Sequence, residues 1–451
     1  MSAVADVPFW QRRAWRAQTG RTSVALYASA LAGFVTNALV ARALGPLNFG
    51  DIVLAVTVVA SIAALLDFSL EEAVVHHGAK AIARDDAGAV WSLLRTSVRL
   101  DAAVGIVVVV VIWGVAPAIS RVVSQGQLSS GLVVLASMEV LATTVNGTTG
   151  AAMMLAGRPD LRAWSLAWTA GLRMVAVLVA IHTWGGGAQR VLIGYAVGAS
   201  MGAVIQSAVA HRLAGARWRH AAPSPSPVGI RALASFGLHS SATTTIIAAR
   251  LALVTVVLGR SAGPTEVGLL SVAMLPITVA DVLTAPVRTT VFAEQATLAA
   301  RGRLDVLRRA IHGYTIGAVA LGSIAAVVGW FLLPWLLPTL YGASFGPATP
   351  IARLLLPAAL ATLAVAWAKA LPASLGRPAV RTLVSAIELA ITAVLVIVLA
   401  DRGAEGVAAA LSAGAIASAY GWIVIARRML ADGPRDPMVL PSGRSRKDPN
   451  P

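Results

Sequence analysis

The sequence predicts an all-α, polytopic membrane protein of about 12 transmembrane helices in two six-helix lobes, the product of an internal duplication. Three observations carry this. The chain is 57% apolar and only 12% charged, whereas soluble domains carry about 25% charged residues. Twelve apolar stretches reach the roughly 20 residues that a helix needs to cross a bilayer. Two short patterns also recur at nearly one offset. Arg42-Ala43-Leu44-Gly45-Pro46-Leu47-Asn48-Phe49-Gly50 and Arg260-Ser261-Ala262-Gly263-Pro264-Thr265-Glu266-Val267-Gly268 share R-x-x-G-P-x-x-apolar-G, 218 residues apart. Gly157-Arg158-Pro159-Asp160-Leu161-Arg162 and Gly376-Arg377-Pro378-Ala379-Val380-Arg381 share G-R-P-x-apolar-R, 219 residues apart. Internal repeats in a membrane chain point to a transporter with its site between the halves.

The elements follow in order. Residues 1–23 are polar and basic with Trp10 and Trp15 interspersed, which predicts a cytoplasmic amphipathic segment and no cleavable signal peptide. Six stretches, about 24–43, 50–75, 96–120, 130–154, 163–183 and 189–211, form the first lobe, 24–211. The segment 212–234 is a cytoplasmic linker rich in Pro, Ser and Arg, with Pro223-Ser224-Pro225-Ser226-Pro227 stiffening it. Six more stretches, about 235–258, 266–292, 313–338, 349–371, 380–400 and 405–426, form the second lobe, 235–426. Between two of them, 293–312 sets Leu304, Leu307 and Ile311 opposite Arg301, Arg308 and Arg309, which predicts a helix on the membrane surface. Prolines 276, 286, 334, 338, 350 and 357 predict kinks in the second lobe. Residues 427–451 read as a disordered basic tail. With no water at the bilayer centre these spans must be helices, and the absence of period-two alternation excludes a β-barrel.

Arginine predicts the orientation. With both termini inside, 25 of the 36 basic residues lie in cytoplasmic segments, and only Arg42, Arg121, Arg190, Arg260 and Arg402 lie outside. By the positive-inside rule this fixes the topology, and the net charge of +16 is mainly a topology signal. Spread over seven short segments, it argues against a nucleic-acid partner. Trp113, Trp184, Trp330 and Trp335 lie where an outer aromatic belt belongs. Zero cysteines exclude disulfides and thiolate metal sites, and His76-His77 lacks a third ligand, so no metal is expected. Gly185-Gly186-Gly187 is a tight turn without a phosphate-loop lysine.

Several segments then stand in the order of a known family. They are Arg42-Ala43-Leu44-Gly45-Pro46 with Phe49-Gly50, Asp67-Phe68-Ser69-Leu70 before Ala73-Val74-Val75, Leu340-Tyr341-Gly342 with Phe345, Leu354-Leu355-Leu356-Pro357, and Leu375-Gly376-Arg377-Pro378. With them the chain resembles bacterial polysaccharide flippases, the Wzx-type branch of the multidrug/oligosaccharidyl-lipid/polysaccharide exporter superfamily. It departs at Ser69, where glycine is usual, and at Asp401 to Gly406. It has twelve spans where lipid II flippases have fourteen, which counts against the peptidoglycan-precursor branch.

The resemblance implies an alternating-access flippase, not an enzyme, in the bacterial cytoplasmic membrane. Its cargo would be an undecaprenyl-pyrophosphate-linked oligosaccharide for cell-surface polysaccharide, carried without a cofactor and driven by a proton or sodium gradient. The implied partners are a lipid-linked anionic glycan, membrane lipids, and a polysaccharide polymerase and glycosyltransferases. Guanidinium suits a diphosphate because it stays charged and binds oxygens in a fork. Arg173 and Arg250 lie too deep to snorkel and are the first substrate-binding candidates, with Arg42 and Arg288 behind them. Arg288, Arg353 and Lys369 are near enough to helix ends to snorkel, which makes them weaker candidates. Arg42 and Arg260, at matching mouths of the repeats, also suit capping of a helix C-terminus. Asp67, Glu139, Asp281 and Glu388 are the buried acids, either coupling a cation or serving as charge partners in fixed ion pairs. An ion-coupled multidrug or cation antiporter of the same superfamily is the alternative. A membrane-embedded glycosyltransferase is disfavoured, because no outside connection exceeds about eleven residues and a catalytic loop of that kind needs more room.

Overall fold

The computed structural model describes residues 13–66, 70–184, 187–222, 224, 229–300 and 302–432. Among these residues there is helix and no strand. In chain order the helices are α1 (Arg13–Leu66), α2 (Leu70–Ile82), α3 (Ala87–Ser124), α4 (Ser130–Thr143), α5 (Asn146–Leu155), α6 (Pro159–Trp184), α7 (Ala188–Trp218) and α8 (Ile230–Ala262). They continue as α9 (Pro264–Ala273), α10 (Leu275–Ala300), α11 (Leu304–Tyr341), α12 (Ala348–Leu354), α13 (Leu356–Ala364), α14 (Leu371–Ser374), α15 (Pro378–Leu399) and α16 (Gly403–Asp432). Helical segments occupy all twelve predicted stretches. The fold is a polytopic all-α membrane bundle.

Breaks within helices account for the larger number of segments. Helix α1 holds two crossings, because Gly45 adopts φ 72°, ψ 174° and interrupts it before Pro46. Tyr27 and Thr57 consequently line one cavity, although thirty residues of straight helix would hold them about 45 Å apart. Glycine is required at this turn, since a Cβ disfavours positive φ. The fourth crossing breaks at Thr144 between α4 and α5, and the eighth bends by 42° between α9 and α10, where Pro276 follows Met274. Pro357 opens α13 after the break at Leu355.

The duplication is visible in the backbone. Gly45 and Gly263 have φ 72° and 87°, Gly157 and Gly376 have 74° and 73°, and left-handed Gly126 and Gly187 match Gly342 and Gly403. The Gly45 and Gly263 turns lie at one end of the bundle, called here the Gly-Pro end. The segment joining α7 to α8 lies at the other, the linker end.

At the Gly-Pro end the halves meet through the repeated motif itself. A Cβ on Gly50 would overlap the carbonyl oxygen of Pro264, and a Cβ on Gly268 would overlap that of Pro46. The arginines of the motif reach across as well. Arg42 Nη1 donates to the Thr339 carbonyl (2.8 Å) in the last turn of α11, and Arg260 Nη1 donates to the Val122 carbonyl (3.1 Å) in the last turn of α3. Each cation thus caps the third long helix of the opposite half, where the macrodipole favours positive charge. One apolar core joins both halves here, holding Phe49, Val123 and Leu192 with Val267, Phe345 and Val407. Toward the linker end the core divides. Leu93, Met153 and Trp218 form one cluster, joined from the second half by Leu233, and Leu307, Trp367 and Trp422 form another. The halves are closed together at the Gly-Pro end and part toward the linker end.

Three expected boundaries shift. The segment 304–312 is no separate surface helix but the first turns of α11, which continues unbroken through the predicted start of the span. No breaker residue interrupts it. The linker is shorter than 212–234, because helix extends to Trp218 and resumes at Ile230. Helix α16 runs to Asp432, so the tail begins later than residue 427. Residues 1–12 and 433–451 lie outside the described residues, and α1 is already helical at Arg13.

Larger side chains at the glycine contacts should force the Gly-Pro end open. Gly50→Leu and Gly268→Leu are expected to cost about 1–3 kcal/mol of stability through overpacking. Each should also raise, severalfold, maleimide labelling of a Ser271→Cys cavity probe from that side of the membrane. Unchanged labelling would contradict the close contact.

Candidate functional site

Between the halves lies a cavity of about 850 Å³. Its walls come from both arms of α1 and from α8, α9 and α10, and its lining is mostly apolar, with Asn37, Thr57, Thr255, Ser271 and Thr278 interspersed. Two groups of charged side chains flank it, one inside each half.

In the first half, Arg173 of α6 and Glu139 of α4 form an ion pair. Their side chains keep 32% and 17% of their exposure, so the pair is neither dry nor freely solvated. The Arg173 guanidinium lies 4.5 Å from the ring centroid of Tyr195 of α7, a cation–π arrangement. The Tyr195 hydroxyl, in a residue only 3% exposed, donates to Asn37 Oδ1 at 3.5 Å, and Asn37 lines the cavity. Four helices therefore connect the buried ion pair to the cavity wall.

In the second half, Lys369 lies in the irregular stretch between α13 and α14, where the tenth crossing is unwound. It stands within electrostatic reach of Glu388, Arg250, Asp281 and Arg381. Solvent touches Lys369 although protein surrounds it deeply, as expected of a side chain on the wall of an internal opening. Arg250 on α8 and Asp281 on α10 are exposed, and their sequence neighbours Leu251 and Val282 line the cavity. Glu388 on α15 is 9% exposed. Its carboxylate accepts from Ser418 Oγ and, at 2.8 Å, from Trp422 Nε1.

The candidates thus fall in different places. Arg173 with Glu139, and Arg250 with Asp281 and Glu388, are gathered by half. Arg42 sits in the cross-half cap at the Gly-Pro end. Arg288 has its backbone in α10, but its side chain lies outside the described residues, as does Asp67. Sequence reasoning passed over Lys369 as a snorkelling residue and Arg381 as part of a cytoplasmic segment. The signal that could have found Arg381 is the repeat. Its counterpart Arg162 is held by Glu71 through two 3.0 Å contacts, whereas the matching positions 289 and 290 are threonines. Arg381 makes no ion pair among the described residues, and its Nε is buried without a hydrogen-bond partner. Arg353, also assigned to snorkelling, stacks 4.8 Å from the Trp330 ring centroid and donates to the Trp330 carbonyl. No group of three His, Cys, Asp or Glu residues converges for a metal among the described residues.

A family model described as polysaccharide biosynthesis protein matches residues 16–292. The chain belongs to that family. No curated protein sequence matches it. Among solved structures it is similar to an inward-facing multidrug resistance MATE family transporter of the MOP superfamily, at a TM-score of 0.77 and 15% identity over 90% of this chain and 95% of that one. The outward-facing conformation of such a transporter matches at 0.63, with 13% identity over 92% and 96%. Lipid II flippase MurJ in an inward closed conformation matches at 0.72, with 12% identity over 91% and 89%. At these identities the likeness is one of fold. The chain has the fold of these transporters and of that flippase, within a family of polysaccharide biosynthesis proteins.

Removing one partner from a fully buried pair costs about 3–5 kcal/mol. The partly wet Arg173–Glu139 pair should cost less, about 1–3 kcal/mol on Arg173→Ala. Thermal unfolding in detergent should show that loss, and adding Glu139→Gln should recover most of it. No recovery would mean that the two charges do not depend on each other.

Proposed function

We propose that the protein is an alternating-access flippase for an undecaprenyl-pyrophosphate-linked oligosaccharide, working in the bacterial cytoplasmic membrane with both termini in the cytoplasm. The observation that carries the reading is that Arg250 and Arg381 lie within electrostatic reach of Lys369, with Asp281 and Glu388 as the acids near it among the described residues, while Leu251, next to Arg250, lines the cavity. A surplus of cations in a low-dielectric opening suits a diphosphate, because guanidinium binds its oxygens in a fork while ammonium offers a point charge. The basic residues concentrated at the linker end support a cytoplasmic placement for it, and the parting of the cores there corresponds to an inward-facing state. The higher TM-score to the inward-facing than to the outward-facing transporter supports that assignment.

Arg173 supplies a second contact for the head when Glu139 lets go. Release of Arg173 from Glu139 is the step at which cargo capture would be coupled to a proton or sodium gradient. The alternative, a cation antiporter, needs acids free to meet a cation. Here Glu139 is held by Arg173 and Glu388 by Ser418 and Trp422, which favours the anionic cargo.

Arg250→Gln and Lys369→Gln should each lower glycan export per folded molecule by about tenfold, the effect of losing roughly 1.4 kcal/mol of binding. The Arg250→Gln/Lys369→Gln double variant should abolish export while still inserting in the membrane. Export unchanged in the double variant, or loss of drug resistance with intact glycan export, would overturn the reading. Topology is checked separately. Cysteine at Arg121 should react with an impermeant thiol reagent from outside, and cysteine at Arg303 should not.

A further inference from the structure

Each half carries a groove near the linker end that takes no part in the cavity between the halves, and the two grooves occupy matching places. In the second half a groove of about 910 Å³ runs between the start of α11 and the end of α16. In the first half one of about 560 Å³ runs between the start of α3 and the end of α7. Helices α3 and α11 are the third crossings of their halves, and α7 and α16 the sixth.

The two grooves also share their chemistry. The α11–α16 groove has Arg308, Arg309, Arg427 and His312 on its rim, with Ile316 and Val319 on the wall beyond. The α3–α7 groove has Arg95, Arg99 and His211 among its polar residues, with Leu94 and Val98 as its apolar wall. The His211 ring packs 5.8 Å from that of Trp91 in the same groove. Ile316 is 55% and Val319 40% exposed, and in the first half Val98 is exposed while Leu94 is buried behind it, so each groove has an outward-facing apolar side chain on its wall. Arg309 is shared with Asp305 at 3.1 Å. Arg308, Arg427, Arg95 and Arg99 make no ion pair among the described residues.

Helix α11 has 38 residues, a length of about 57 Å against a hydrocarbon core of roughly 30 Å. Its first two and a half turns, which carry Arg308, Arg309 and His312, therefore fall at headgroup depth, and Ile316 and Val319 fall about one to two turns deeper. A cationic rim at the headgroup above an outward-facing apolar slot matches one phosphate-bearing headgroup and its acyl chain.

We propose that both grooves are binding sites for anionic glycerophospholipid of the leaflet at the linker end. The lipid phosphate is held by Arg308 and Arg427 in one half and by Arg95 and Arg99 in the other. A lipid in each groove braces the third crossing of a half against its sixth.

The test uses the full-length protein in vesicles of phosphatidylcholine with a trace of photoreactive phosphatidylglycerol. Cross-links should concentrate in residues 304–320 and 423–430 and in 91–99 and 207–214. Excess phosphatidylglycerol should displace them at least tenfold better than excess phosphatidylcholine. Arg308→Gln/Arg427→Gln should remove the second-half cross-links and leave those of the first half, which also reports that the variant is folded. Cross-links spread evenly around the bundle, equal displacement by both lipids, or displacement by undecaprenyl diphosphate but not by phosphatidylglycerol would each overturn the proposal. The last result would give the grooves to the cargo.

Discussion

The rest of the structure depends on the contact between the two Gly-Pro turns. Gly50 admits the Pro264 carbonyl and Gly268 admits that of Pro46, and no side chain larger than hydrogen fits either place. This reciprocity is what a duplicated chain can offer cheaply, because one motif supplies both faces of the contact. Arg42 and Arg260 extend it by capping helices of the opposite half. Hydrogen bonds of this kind to charged groups contribute about 1.5–3 kcal/mol when sheltered and less when exposed, as these are.

The second constraint is the cost of charge in a low-dielectric interior, and the two halves meet it differently. In the first half most deep charges are matched, Arg173 with Glu139 and Arg162 with Glu71. In the second half Arg377 finds Asp432 at 3.0 Å, but threonines stand where the acid facing Arg381 would be, and Lys369 lies within electrostatic reach of Glu388, Arg250, Asp281 and Arg381. The two halves carry matching turns, yet among the described residues the matched ion pairs of the first are not all repeated in the second.

Much of the fold was legible because bilayer crossing and duplication leave one-dimensional traces. Apolar length marks the crossings, and Gly45 with Gly263 and Gly157 with Gly376 mark the turns that must be left-handed. The site was legible only in part. The depth of Arg173 and Arg250 follows from counting residues along a span, but the partner of each depends on how helices are rotated against one another, which no periodicity within one helix reports. Lys369 was passed over for a related reason. Its span is unwound between α13 and α14, so a residue that helical rise would carry to the interface stays beside Arg250. The cross-half reach of Arg42 and Arg260 was hidden too, since a motif repeated in sequence does not announce that its copies touch.

On the proposed alternating-access cycle, the Gly-Pro turns meet in one state and separate in the other while cargo passes. Spin labels on the exposed residues Asn48 and Thr265, measured by pulsed electron paramagnetic resonance in lipid, test it directly. One short distance is expected in the resting protein, and a second, longer population when lipid-linked glycan and a proton gradient are supplied together. A single short distance under conditions where glycan is being exported would contradict it.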